Sequence, residues 1–550
     1  MDVYQSAPDA YDFPLTIKQL LNRSKVAARH QEIIYSNKKR FTYEQFFKRI
    51  NQLANVLATL NLSVGDIVAV MDWDSHRYLE AYFAVPMSEL ILQTVNIRLS
   101  PDKVLFTINH AQPKVLLLNS EFASLVKDYQ FDNSSIEHIL WLDDNGVSYE
   151  SVFGDQNRRV IGEYEALVTA AEDEFDFPDF DENTIATTFY TSGTTGDPKG
   201  VFFSHRQLVL HSLAEAASLG MLPSKQGVSY GDVYMPLTPM FHVHAWGFPF
   251  TATMAGLKQV YPGRYAPDAL VDLIVTEKVS ITHCVPTILQ MLIKEVSNRG
   301  QKFNGLKMII GGSRLTEGLA KAALDCGIEV YTGYGMSETA PLISLTDFSI
   351  NEPKMSEAED ISRRCLTGKP VLLVEAQIWS EVNQLLPTGK DHAGELVLRA
   401  PWLTQSYLKN PDASRKLWRD GYLHTEDIAY LREDGYINIT DRLKDVIKSG
   451  GEWISSLEIE TILSLHPAVA DVAVIGVPDK QWGERPLALV VLKSDCQNTI
   501  GDDIKAIAEQ AVSRGLIPKY GIPSEFKFVK ELPKTSVGKH DKKVMRERFA

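Results

Sequence analysis

The chain has 550 residues, too many for a single hydrophobic core, and its 44% apolar and 23% charged content is that of a soluble globular protein with two or more domains. A net charge of −14 argues against bulk nucleic-acid binding and against an electrostatic hold on an anionic membrane, while local basic clusters can still bind phosphates. Cys284, Cys326, Cys365 and Cys496 are scattered without a C-x-x-C pair, so the expectation is reduced, buried thiols in a cytoplasmic protein rather than a disulfide framework or a zinc site.

Residues 13–60 read as a leading helix, a hairpin and a second helix. The hairpin is Ile33 to Thr42, and the second helix carries Phe46, Ile50, Leu53, Val56 and Leu57 at helical spacing. Ile67 to Met71 and Val115 to Leu118 are buried parallel-type strands, and strands alternating with helices point to wound α/β sheets. Ile185 to Tyr190 is a further strand. It runs into Thr191-Ser192-Gly193-Thr194-Thr195-Gly196-Asp197-Pro198-Lys199-Gly200, where glycines, hydroxyls and a lysine crowd together. Glycine lets backbone N–H groups converge on an anion and the lysine adds a point charge, so this loop is a phosphate cradle rather than a plain polar turn. Its spacing fits neither a Walker A loop nor a Rossmann fingerprint.

Tyr234 to Leu257 lacks Asp, Glu, Lys and Arg and is long enough to span a bilayer. Its Pro236, Pro239, Pro249, His242 and His244 suit the lining of a buried site better. Lys307 to Ile310 is a strand ending at Gly311-Gly312-Ser313. A helix follows with Leu315, Leu319, Ala322 and Cys326 on one face, then the strand Ile328 to Tyr331, ending at Gly333-Tyr334-Gly335. Glycine turns at the carboxyl ends of adjacent strands are where open α/β sheets place ligands. After about residue 440 the charged link Asp441 to Asp445 precedes a compact α+β unit. Its strands are Val472–Ile475, Ala488–Leu492 and Phe526–Val529, with a helix from Asp503 to Arg514.

The glycine-rich loop resembles the signature loop of the adenylate-forming enzymes, which include acyl-CoA synthetases, luciferases and peptide-synthetase adenylation domains. Later motifs follow in the order of that superfamily over most of the chain. The resemblance implies a large N-terminal domain of wound α/β sheets with a β-rich subdomain (residues 1–440), a hinge (441–446) and a small mobile C-terminal α+β lid (447–550). Tyr334-Gly335-Met336-Ser337-Glu338-Thr339 resembles the Y-G-x-T-E motif. By that likeness Tyr334 stacks on adenine and Glu338, with Thr191 as partner, ligates Mg²⁺ on the phosphates. Taken alone, the Ser337–Glu338 pair is also a helix cap. Gly311-Gly312-Ser313-Arg314 is similar to the segment lining the adenine pocket, Asp427 to the aspartate that binds both ribose hydroxyls, and Arg442 to a second ribose contact. Glu426 departs from the family, which has glycine there; a positive φ would strain it, and its charge would oppose ATP.

Pro533-Lys534-Thr535-Ser536-Val537-Gly538-Lys539 resembles the C-terminal P-x-T-x-x-G-K, so Lys539 bridges substrate carboxylate and α-phosphate, although the surrounding lysines alone would read as a solvated cationic face. Lys444 occupies the hinge position. After rotation of the lid, Lys448 and the following glycine loop present backbone to the pantetheine thiol. Phe241-His242-Val243-His244-Ala245-Trp246 looks like the F-H-V-x-A-W segment of fatty acyl-CoA synthetases. It puts His242 beside the carboxylate and makes Trp246 the gate of a fatty-acid tunnel rather than a core aromatic. The resemblance therefore implies ATP-dependent activation of a medium- or long-chain fatty acid to an acyl-adenylate, then transfer to CoA, with ATP, Mg²⁺ and CoA required. A homodimer and peripheral membrane contact are compatible with it. Three alternatives stand beside this reading: a fatty acyl-AMP ligase loading a carrier protein, a synthetase for an aryl acid, and a nucleotide-binding homologue without turnover.

Overall fold

The computed structural model describes residues 5–126, 134–191, 197–221, 226–348, 355–449, 452–493, 496, 501–536 and 538–550. Two large sheets carry the first part of the chain. One has seven strands in the order Val160–Glu163, His138–Leu142, Val115–Asn119, Ile67–Met71, Ile91–Thr94, Ile185–Tyr190 and Gly200–Ser204. Its strands are parallel except the last, which folds back antiparallel on Ile185–Tyr190. Val115–Asn119 is buried along its whole length, as expected of a strand covered on both faces. The glycine-rich loop thus joins two antiparallel strands. The helix that follows, His205–Gly220, starts only after the second of them, at a Ser204 capping box.

The second sheet has nine strands and is parallel through its centre, where Lys258–Tyr261, Val233–Pro236, Ile281–Cys284, Leu306–Ile310 and Ile328–Gly335 lie side by side. The hairpin read from the sequence, Glu32–Tyr35 and Lys39–Thr42, closes one end of it. Its polar turn leads into a Thr42 capping box and the helix Tyr43–Ala58. One helix differs from expectation. Glu317–Asp325 buries Ala320 and Ala323, while Leu315 and Cys326 flank it rather than share its face. The short side chains let the helix lie close to the sheet, so the larger apolar residues are needed only at its ends.

A smaller antiparallel sheet follows, built from Glu375–Trp379, Gly394–Arg399, Trp418–Arg419, Tyr422–Leu431 and Ile437–Arg442. Strands from Ile447 onward form a sheet of their own, in which Val469–Asp479 and Gly483–Leu492 pair over ten registers. Side chains alternate across this sheet with period two. Val472, Val474, Ala488 and Val490 face the helices Ser456–Ser464 and Gly501–Ser513. Ala473, Ile475, Leu487 and Leu489 face Leu532 and Met545, the latter on the helix Lys542–Phe549. The buried Asp441 carboxylate accepts from the Ser456 N–H at 2.6 Å and its hydroxyl at 2.7 Å, and Arg546 pairs with Asp445 at 2.7 Å. The link is therefore anchored to the helices Ser456–Ser464 and Lys542–Phe549 that pack on this last sheet.

The apolar stretch from Tyr234 is broken into a strand, a turn and the short helix Phe248–Ala255, and no helix among the described residues is long and apolar enough to cross a membrane. Cys284 and Cys326 are buried free thiols, but Cys365 and Cys496 are only half-buried, because they lie at element ends rather than inside the sheets.

Candidate active site

The carboxyl ends of the parallel strands meet at one place. Thr191 closes the neck of the glycine-rich loop: its N–H donates to the Lys199 carbonyl at 3.0 Å, and its hydroxyl accepts from the Lys199 N–H at 3.3 Å. Ser192, Gly193, Thr194, Thr195 and Gly196, the expected cradle, lie outside the described residues. The Lys199 ammonium sits 4.9 Å from the centroid of the Tyr407 ring. The Tyr407 hydroxyl donates to Glu338 Oε1 at 2.7 Å, so one aromatic joins the loop lysine to the expected metal ligand. Glu338 lies in the 3₁₀ turn Ser337–Thr339 and is buried; burial raises its carboxyl, while Tyr407 and the cations Lys199 and Arg442 act against that. A buried anion lacking a full ion pair is costly, and a divalent cation would remove that cost. Glu338 is thus a buried carboxylate that a hard divalent cation would neutralise.

The residues expected to meet the nucleotide converge from two sheets. Gly333, Tyr334 and Gly335 end one strand of the nine-stranded sheet. Asp427 and Arg442 come from paired strands of the small antiparallel sheet and sit opposite each other in register. The Tyr334 hydroxyl donates to Asp427 Oδ2 at 2.7 Å, and Arg442 Nε lies 3.2 Å from Oδ1. Asp427 first, and then Tyr334 and Asp445, hold the Arg442 guanidinium charged against burial. Next to Asp427, Glu426 takes a φ of 59°. The position does demand the left-handed conformation, and a glutamate supplies it at a cost of about 1–2 kcal/mol.

Lys539 reaches this cluster from the segment between the strand Glu525–Phe528 and the helix Lys542–Phe549. A Cβ on Gly312, itself at φ 77°, would be strained and would stand 3.0 Å from both Lys539 Cε and Val285 Cγ1. Gly312 and the exposed Ser313 directly follow the strand Leu306–Ile310. The Asn96 amide donates to the Ser536 hydroxyl at 3.2 Å, and Gly538 packs against Thr287, which docks the segment on the large lobe. Burial, with Arg442 adding repulsion, lowers the Lys539 ammonium to about 8, against the pull of Asp427 and Glu338. His242 is pushed down to about 3 by burial and by the charges of Lys539 and Arg98. Its imidazole is therefore neutral at working pH and can donate a hydrogen bond.

Trp246 ends a turn that no sequence pattern announced. Val243, His244, Ala245 and Trp246 have φ of 48°, 53°, 47° and 60°, and Gly247 follows at 77°. A run of left-handed L-residues costs roughly 1–2 kcal/mol each and persists only where packing over-determines it. Here all four are buried, and Ala245 N and Gly247 N donate to the His242 and His244 carbonyls. The turn lays the Trp246 indole on His283 with centroids 4.9 Å apart and planes 25° apart. The ring edge reaches Gly311, where a Cβ would come within 2.8 Å of Cη2. The indole thus stands between His283, near the carboxyl end of one strand, and Gly311, just past the end of the next. If it gates an acyl channel, Trp246→Ala changes KM for the acid in a chain-length-dependent way and loosens its dependence on ATP; a uniform response across chain lengths removes that role.

Residues 22–408 match the AMP-binding enzyme family, and residues 458–539 match the AMP-binding enzyme C-terminal domain. The chain belongs to the AMP-binding enzyme family. Among the curated relatives of this AMP-binding enzyme, a long-chain-fatty-acid–CoA ligase of Thermus thermophilus is 36% identical over 547 residues, covering 98% of this chain and 95% of that protein. A medium-chain-fatty-acid–CoA ligase of Ectopseudomonas oleovorans is 34% identical, covering 91% and 89%. The crystal structure of an anthranilate CoA ligase in complex with anthranoyl-AMP has the same fold, with a TM-score of 0.84 at 22% identity over 98% of both chains.

In this AMP-binding enzyme the described site residues Thr191, Lys199, His242, Gly312, Tyr334, Glu338, Asp427, Arg442 and Lys539 form one linked neighbourhood. Lys448 does not join it: it lies exposed on the strand Ile447–Ser449, paired in register with Trp453. Lys444 lies exposed between the two lobes. The sequence reading missed Tyr407, which holds Glu338, and His283, which carries Trp246. Tyr407 lies 69 positions from Glu338 in an irregular segment with no motif, so nothing local marked it. His283 was findable, because it sits near the carboxyl end of a central parallel strand.

Proposed function

We propose that this enzyme joins a fatty acid to CoA through an acyl-adenylate. In the first half-reaction a carboxylate oxygen attacks the α-phosphorus of ATP, and pyrophosphate leaves. In the second the thiol of CoA attacks the acyl carbon, AMP leaves, and the thiol proton passes to solvent. What supports this reading most is Lys539, which is buried, lies against Gly312 and is drawn by the charges of Asp427 and Glu338. Two anions must be brought together, and a buried cation with a neutral hydrogen-bond donor beside it lowers that barrier.

The roles proposed are those the motif resemblance implies. Tyr334 covers the adenine, and Asp427 with Arg442 takes the ribose hydroxyls. Lys199 and the glycine-rich loop take the β- and γ-phosphates. Glu338 and Thr191 hold Mg²⁺, which when bound supplies charge neutralisation on the phosphates. His242 orients the substrate carboxylate, and Lys539 bridges it to the α-phosphate. Rotation of the small lobe about Lys444 then withdraws Lys539 and turns Lys448 with the adjoining glycine loop toward the thiol. A cytoplasmic location is part of the proposal.

A panel of acids from short to very long chain, scored by pyrophosphate release and by CoA-dependent thioester, tests the reading. Release with medium- or long-chain acids and thioester with CoA is expected. Adenylate without thioester would redirect it to carrier-protein loading, and preference for an aryl acid would replace the substrate class. The pH dependence is specific. Lys539 is a cation below about pH 8 and loses its charge above it. The kcat/KM of adenylation therefore falls on the alkaline side with an apparent pKa near 8. Lys539→Arg, always charged, lowers the rate but removes that limb; a limb that persists unchanged in the arginine variant assigns it to another group.

A further inference from the structure

The stretch that carries His242 has no strand or helix of its own: it follows the strand Val233–Pro236 and runs into the left-handed turn. Its backbone polar groups therefore need partners from elsewhere. The Met240 N–H donates to Asp74 Oδ1 at 2.8 Å, and the Met240 carbonyl accepts from the Tyr82 hydroxyl. The Phe241 carbonyl accepts from Thr94 Oγ1 at 3.1 Å. Asp74, Tyr82 and Thr94 are all buried, and none lies in the nine-stranded sheet that leads into this stretch. Asp74 precedes and Tyr82 lies within the helix His76–Met87, while Thr94 ends the strand Ile91–Thr94 of the seven-stranded sheet. The second Asp74 oxygen accepts from the Tyr265 hydroxyl at 2.5 Å, so the carboxylate is itself held in place.

We infer that Asp74, Tyr82 and Thr94 are positioning residues for adenylation: they clamp the Met240–Phe241 backbone and so fix where the His242 imidazole stands. This rests on the role given to His242 in the reaction proposed above. The backbone bonds of His242 itself are local. Its N–H donates to the Pro239 carbonyl at 2.9 Å, and its carbonyl accepts from the Ala245 N–H at 3.1 Å. Those bonds shape the turn but do not tie it to the other sheet; the three side chains do. Two residues beyond Thr94, the Asn96 amide donates to Ser536, three positions before Lys539. One short stretch thus touches both the segment that carries His242 and the segment that carries Lys539, the two groups proposed to meet the substrate carboxylate. Misplacing a reacting group by 1 Å costs about 10²-fold in rate, so hydroxyls that never touch substrate can still govern it.

The test uses the full-length enzyme with ATP and dodecanoate, read by pyrophosphate release. Tyr82→Phe and Thr94→Val each remove one hydroxyl and keep the buried shape. Each should lower kcat/KM for the acid about three- to tenfold, and the two together about ten- to a hundredfold. In a His242→Ala background the same pair should change kcat/KM by less than about twofold, because the residue through which it acts is gone. Equal losses in both backgrounds overturn the inference, as does a pair that changes nothing while His242 is present. Asp74→Ala removes the acceptor of the Met240 N–H, and Asp74→Asn, which restores one, should recover most of that loss. An asparagine variant as impaired as the alanine one overturns the assignment of Asp74. Hydrogen–deuterium exchange of the peptide covering residues 239–246 needs no substrate. It should be about five- to tenfold faster in the Tyr82→Phe/Thr94→Val enzyme than in wild type. Equal exchange overturns the clamp whatever the acid. A wild type that activates no acid, together with faster exchange in the paired variant, sinks the proposed reaction and leaves the clamp on the His242 segment standing.

Discussion

Lys539→Ala is expected to abolish most acyl-adenylate formation while sparing the transfer of a supplied acyl-adenylate to CoA. A preorganised charge aimed at a developing anion is worth about 10²–10³ in rate, or ~3–4 kcal/mol. Lys539 qualifies because its ammonium is already desolvated beside Gly312 and drawn by Asp427 and Glu338 before any substrate arrives. Its loss removes the only link between the carboxylate and the α-phosphate that the C-terminal segment contributes in the proposed scheme. It leaves the fold intact, because the segment remains docked through Asn96–Ser536 and Gly538–Thr287. Pyrophosphate release from ATP and a fatty acid measures the first half-reaction, and thioester formation from synthetic acyl-adenylate measures the second. Equal loss in both would mean that the lysine holds the lobe rather than the substrate.

Glu338→Gln carries the second large effect. Glutamine keeps the shape and still accepts from Tyr407, so the buried turn Ser337–Thr339 keeps its contacts. What it removes is the charge, and a hard divalent ion binds an amide oxygen far less well than a carboxylate. Adenylation should fall by about 10²–10³, with the Mg²⁺ concentration for half-maximal rate rising. Thermal stability should hold or rise, because a buried carboxylate raised by its surroundings is replaced by a neutral group. Stability that falls along with activity would instead make Glu338 a structural partner of Tyr407. A companion change, Tyr407→Phe, should give a milder defect of the same kind, since it frees the carboxylate without removing it.

Much of the architecture could be read from local pattern. Val115–Leu118 and Ile67–Met71 are apolar throughout because both faces of a parallel sheet are covered, and that composition is legible without coordinates. The alternation of Val472, Ala473, Val474 and Ile475 between two clusters is a period of two that any strand must show. The segments Tyr334–Glu338 and Pro533–Lys539 stood out in the sequence because glycine at fixed spacing beside charged side chains is rare outside close-approach turns. Local rules failed at two places. The turn Val243–Trp246 contains no glycine before Gly247, so no propensity argument would give it four left-handed residues; burial among aromatics imposes them. The cost of Glu426 was foreseeable only as a condition, and the coordinates supplied the sign of φ.

The chain alone determined the kinds of element, the two-part layout and which side chains can carry charge, since periodicity, glycine placement and residue chemistry are local properties. Only the tertiary structure decided that Lys539 lies against Gly312, that Tyr407 joins Lys199 to Glu338, and that Glu426 is tied to the hinge. Those relations depend on how separate sheets pack. Packing is fixed by the summed burial of many residues far apart in sequence, and no single stretch contains it.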